Sequence, residues 1–209
     1  MKNAIILISM YLLVSCNNVE TKKENSNEDT SAHTGHANMK NNEMKTMMDK
    51  MMNEMHTIKP TDNNDIDFAL MMSIHHKGAV EMSDLQLKKG NNMELKNFAK
   101  QVIADQQKEI RFMKDFITRS PKSQDDDSEY FQAAMNSSMG VMMNESIIYN
   151  DVDKDYAVQM IPHHQSAVEM AKVYLEKGKD PALKKLSQDI ISSQAKEISW
   201  LQTWLKNNK

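Results

Sequence analysis

Two His-His pairs, His75-His76 and His163-His164, stand 88 residues apart, and each is followed by the same four residues: Ala79-Val80-Glu81-Met82 in one copy, Ala167-Val168-Glu169-Met170 in the other. Imidazole is the side chain that most readily carries protons near neutral pH, and it is also a common metal ligand. Met72, Met82, Met160 and Met170 flank the pairs at helical spacing. Thioether with imidazole is a donor combination that suits Cu(I), and Ag(I) with it, whereas hard ions want carboxylate and carbonyl oxygens.

A second set of soft donors precedes the first pair. Met44, Met47, Met48, Met51, Met52 and Met55 step by three and four residues, with His56 at the end. A stripe at that spacing is the ordinary signature of an adaptable core face. This one contains no Leu, Val or Phe, and the chain's 20 Met outnumber its five Phe and two Trp, which is an unusual way to build a core. Met135, Met139, Met142 and Met143 repeat the theme before the second pair, and His33, His36 and Met39 lie upstream in polar sequence. Packing and soft-metal binding both remain open for these segments.

The elements that must carry these groups are written twice. Sliding the sequence by 88 residues places Asp65–Ile117 on Asp153–Leu205 without a gap, with about 20 of 53 positions identical. Met47, Met51 and Met55 fall on Met135, Met139 and Met143 at the same offset, so the repeated unit has three helices. Phe68, Met72, His75, Ala79, Met82 and Gln86 advance by four and three, as do Tyr156, Met160, His163, Ala167, Met170 and Tyr174, which is the spacing of one helical face. Gly90 and Gly178 mark the ends of these helices as C-cap glycines. The next helices start near Met93 and Pro181, proline being suited to a first turn. Their inward faces run Phe98, Val102, Gln106, Glu109, Met113, Phe116 and Leu186, Ile190, Gln194, Glu197, Leu201, Trp204.

Two such hairpins close an all-α, ferritin-like four-helix bundle with approximate two-fold symmetry and Met-rich accessory helices. A folded part of roughly 165 residues buries about 70% of its unfolded-chain surface as one core. The expected organisation is a signal peptide (1–15), a tether (16–40), a first repeat (41–118), a linker (119–128) and a second repeat (129–207).

The His-His-x-x-Ala-Val-x-Met block, with Gln106-x-Lys108-Glu109-Ile110 and Gln194-x-Lys196-Glu197-Ile198 downstream, resembles the domain-of-unknown-function 305 family. That resemblance implies a ferritin-like helical bundle, commonly exported; some members are periplasmic copper-binding proteins rich in Met and His. It assigns no activity by itself.

At about 100° per residue from Met72, His75 lies near −60° and His76 near +40°, so both border the apolar stripe. Gln106 and Glu109, and Gln194 and Glu197, fall within the apolar arc of the second helices. Buried polar groups need partners, at a cost of roughly 2–7 kcal/mol for an unpaired amide or hydroxyl. These four therefore serve as supporting groups for the histidines, either in a bracing network or by orienting imidazole toward a metal. Which histidine of a pair ligates stays open. Glu81 and Glu169 lie on the far side, solvated or against the Met helix.

A net charge of −3 with both signs interspersed leaves no nucleic-acid footprint. Lys2, the apolar run Ala4–Leu13 and the ending Leu13-Val14-Ser15-Cys16 read as a signal peptide closing in a lipobox. Cys16, the one cysteine, becomes the lipidated first residue of the mature chain, and two acyl chains anchor stably to a membrane. Asn17 after it favours the periplasm-facing outer membrane.

Three function classes stay open. One is a non-enzymatic, lipid-anchored envelope protein holding Cu(I) or Ag(I) for buffering, tolerance or handover to a copper-transfer protein. The second is a ferritin-like oxidase, disfavoured because Glu109-x-x-Phe112 and Glu197-x-x-Trp200 lack the Glu-x-x-His ligands of di-iron sites. The third is an interaction module using a Met-rich apolar groove.

Overall fold

Asp62 and Asn150, 88 residues apart, both take left-handed backbone, with φ of 60° and 55°. Short Asx side chains tolerate that conformation. Directly after each, a capping side chain opens a long helix: Asn63 accepts from Ile66 N–H and Asp151 from Lys154 N–H. The duplicated sequence therefore sets the same turn twice.

The computed structural model describes residues 42–120, 125, 127–143 and 147–208. The signal segment, Cys16, the tether with His33, His36 and Met39, and part of the linker lie outside the described residues. Six α-helices follow: α1 (Glu43–His56), α2 (Asn64–Lys89), α3 (Met93–Arg119), α4 (Ser128–Ser138), α5 (Val152–Lys177) and α6 (Pro181–Asn207), with a 3-10 turn at Met139–Met143 after α4. There is no strand among the described residues, and no helix there is long and apolar enough to cross a membrane.

Helices α2 and α3 form one hairpin, α5 and α6 the other, and α2 packs on α5 between them. Helix α1 lies against α2 and α5, and α4 with its 3-10 turn lies against α5. The architecture is the expected four-helix bundle with Met-bearing helices added. All twelve residues of the two long-helix stripes, Phe68 to Gln86 and Tyr156 to Tyr174, are fully enclosed. Each large apolar side chain so placed contributes about 1.5–3 kcal/mol.

Reciprocal caps join the hairpins. Asp65 Oδ1 accepts from Tyr174 O–H at 2.6 Å and from Lys179 N–H at 2.8 Å, in the turn of the second hairpin. Asp153 does the same for the first, taking Gln86 Nε2–H at 2.5 Å and the N–H groups of Asn91 and Asn92. Both glycines end helices as expected, for a different reason. Gly90 and Gly178 have φ of −66° and −69°, open to any residue. A Cβ at Gly90 would meet Gln86 Nε2 at 2.3 Å, and one at Gly178 would meet the Tyr174 ring at 2.2 Å. Glycine is needed so that the side chain reaching for Asp153 or Asp65 can pass over the turn.

Candidate metal centre

Near the middle of α2 and α5 the two-fold brings the duplicated residues face to face. The rings of His75 and His163 lie with centroids 3.8 Å apart. His76 and His164, one residue on and so turned about 100°, face the outer helices: His76 Nε2 is 2.6 Å from Glu109 Oε2 on α3, and His164 Nε2 is 2.9 Å from Glu197 Oε2 on α6, off the line of a hydrogen bond. All four imidazoles are fully buried. The two histidine pairs thus meet through His75 and His163, with His76 and His164 turned outward on either side.

The hydrogen bonds assign the tautomers. Ser166 O–H donates to the His163 carbonyl at 2.9 Å, so His75 must donate its Nε2–H to Ser166 Oγ, 2.6 Å away. His163 Nε2–H donates to the His75 carbonyl at 3.0 Å. The Glu109 carboxylate draws the His76 proton to Nε2, whereas neither ring nitrogen of His164 has a hydrogen-bond partner. His75, His76 and His163 then have a bare Nδ1, and the Nδ1 atoms of all four rings are buried without a hydrogen-bond partner. Burial first, and then the charge that neighbouring histidines would carry, holds His75 and His163 well below the usual imidazole range, which keeps both neutral. A neutral imidazole with one nitrogen tied to an acceptor and the other free is the form that ligates metals.

Met72, Met82, Met160 and Met170 are fully buried on the histidine-bearing stripes. Gln106 and Gln194 are buried on α3 and α6, and Oε1 of each lacks a partner. Met44, Met48, Met51, Met52 and Met55 lie buried in the core, Met47 is half-buried against it, and His56 is exposed at the end of α1. Helix α1 approaches α2 where α2 has no side chain: a Cβ on Gly78 would stand 2.5 Å from Met51 Sδ. Glu81 contacts the Met helix through Lys50, 3.1 Å away, and Glu169 pairs with Lys172. Among the described residues, no three His, Cys, Asp or Glu side chains converge as a metal-holding group.

Ser166 and its role were missed in the sequence. Its spacing of three from His163 put it on the histidine face, and its two-fold counterpart is Gly78, so the repeat comparison hid it.

A family model described as a domain of unknown function (DUF305) matches residues 17–117 and 65–205. The chain belongs to the DUF305 family. Solved structures similar to this DUF305 chain include CopM in a Cu(I)-bound form, 32% identical, covering 68% of this chain and 96% of CopM with a TM-score of 0.53. CopM in an Ag-bound form obtained by soaking is 33% identical, covering 68% and 95% at the same TM-score. A DUF305 protein from Streptomyces coelicolor, described as secreted, is 25% identical over 70% of this chain and 92% of its own, with a TM-score of 0.56. Uncharacterized protein L153 of Acanthamoeba polyphaga mimivirus is 44% identical over 57 residues, which span 27% of this chain and 38% of that protein.

Proposed function

We propose that this DUF305 protein holds a soft cation, Cu(I) or Ag(I), as cargo at the cell envelope through imidazole and thioether donors, for buffering, tolerance or transfer, without catalysing a reaction. The observation that carries the reading is the set of four buried, unpartnered Nδ1 atoms, three of them on rings held by a hydrogen bond at Nε2. A buried polar atom left unmade costs about 1–3 kcal/mol, and a ligated cation removes that cost. The donor set matches the ion, because Cu(I) takes few, soft, uncharged ligands. CopM, similar over two thirds of this chain, has been solved with Cu(I) and with Ag bound.

Export and anchoring through a lipidated Cys16 belong to the same reading, as does a copper-accepting partner. The Met-groove alternative fares worse, since the α1 methionines are buried in the chain's own core. A bracing role for the histidines is favoured by one observation, the lack of any three converging His, Cys, Asp or Glu side chains among the described residues. Titration of the mature chain with Cu(I) against a competing chelator separates the two. Binding that weakens in a His75→Ala/His163→Ala variant supports ligation; no competition at micromolar affinity removes the reading. Labelling of cells with a radioactive fatty acid, comparing wild type with Cys16→Ala, tests the anchor.

A further inference from the structure

All four imidazoles are wholly buried, so cargo needs a way in. Helices α3 and α6 flank a cleft of about 470 Å3. Glu109 and Glu197 line it, with side chains 19% and 20% exposed, while the histidines beside them are wholly buried. Gln106 and Gln194 line it too; both are buried, with Oε1 unpartnered. Oxygen donors thus occur in two-fold pairs, the part-exposed carboxylates reaching His76 and His164 and the amides almost wholly buried.

We propose that this cleft is the loading port of the histidine centre, in which paired carboxylate and amide oxygens take a monovalent soft cation out of water and deliver it inward. The proposal rests on the soft-cation reading above. Four carboxylates (Asp105, Glu109, Asp189, Glu197) and two ammonium groups (Lys108, Lys185) border the cleft, a formal net charge of −2. That field concentrates cations. Hard oxygens hold a soft ion weakly and the deeper nitrogen and sulfur hold it strongly, so the gradient runs toward the centre.

The repeat also explains why the cleft exists. Phe98 on α3 stacks on Trp200 of α6, with centroids 4.7 Å apart and planes within 4°. The two-fold partners of these residues are Leu186 and Phe112, which line the cleft. Where one repeat carries Phe98 the other carries the smaller Leu186, and the aromatic plug is missing.

Leu186→Phe restores the plug at that end, and Ala182→Trp crowds the exposed rim without relying on the same packing. Ag(I) loading of the full chain is followed by stopped-flow tryptophan fluorescence, with stoichiometry and affinity measured separately at equilibrium. Loading that must wait for a plug to open slows by about tenfold or more, with equilibrium affinity unchanged in at least the variant that keeps the wild-type circular dichroism spectrum. Wild-type rates in both plugged variants overturn the port. Absence of equilibrium Ag(I) binding by the wild type overturns the soft-cation reading instead.

Discussion

Acid should destabilise the metal-free protein through the His75–His163 contact. Both rings are enclosed and 3.8 Å apart, and their Nε2 atoms meet only a hydroxyl and a carbonyl, so neither ring has a carboxylate to stabilise a positive charge directly. Glu109 and Glu197 sit instead beside His76 and His164. Burial is the largest cause of the lowered pKa at both positions. The folded values lie below the unfolded value of about 6.5, so below that pH the unfolded chain binds more protons and stability falls as pH falls. With a ring held neutral in the fold, the unfolded state gains about 2 kcal/mol per histidine at pH 5, or about 4 kcal/mol for the pair. That is a large share of the roughly 5–15 kcal/mol that domains typically have. Urea unfolding of the metal-free chain at pH 7 and pH 5 measures it, with His75→Asn/His163→Asn as the reference that retains every carboxylate. Wild type should lose about 4 kcal/mol more than the double variant between the two pH values. Equal losses would refute the assignment of neutral, enclosed rings.

Gly78→Ala puts a methyl 2.5 Å from Met51 Sδ and 3.1 Å from its Cβ. Overpacking of about 1–3 kcal/mol should outweigh the helix-propensity gain of about 1 kcal/mol, and Met51→Ala in the same chain should relieve it in a double-mutant cycle. Tyr174→Phe keeps the stack on Phe68 but loses the 2.6 Å hydrogen bond to Asp65; a loss of about 1.5–3 kcal/mol should lower the urea midpoint. Replacing Met44, Met48, Met51, Met52 and Met55 together with Leu should preserve the helical spectrum, each swap costing under about 1.5 kcal/mol, while lowering the Ag(I) capacity measured by equilibrium dialysis. Unchanged capacity would assign these methionines to packing alone.

The helices and their buried faces were legible because each stripe repeats at the helical period, and a period needs no partner to be seen. The duplication likewise showed that any site in one hairpin has a copy in the other. What periodicity could not supply is where the hairpins cross. In a pseudo-two-fold pair a residue meets its own copy only at the axis, and the axis position depends on packing between helices far apart in sequence. His75 and His163 sit there; Met72 and Met160, on the same stripes and equally buried, belong to neighbouring turns. The angular separation of His75 from His76 was readable, but its consequence was not: one ring faces the opposite hairpin and the other its own hairpin's outer helix, where Glu109 waits.

The repeat comparison also concealed where the copies differ. Gly78 makes room for Met51, whereas Ser166 at the matching position gives His75 a hydroxyl that His163 does not receive in return. His163 instead reaches the His75 carbonyl. The two central imidazoles are therefore chemically unequal although the sequence writes their surroundings almost identically. A carbonyl can only accept, so His163 is locked with its proton on Nε2. A hydroxyl can turn, so His75 keeps its tautomer only while Ser166 donates to the His163 carbonyl. Ser166→Ala should consequently disturb His75 far more than His163, a difference that the ring-nitrogen chemical shifts of the two histidines would report directly.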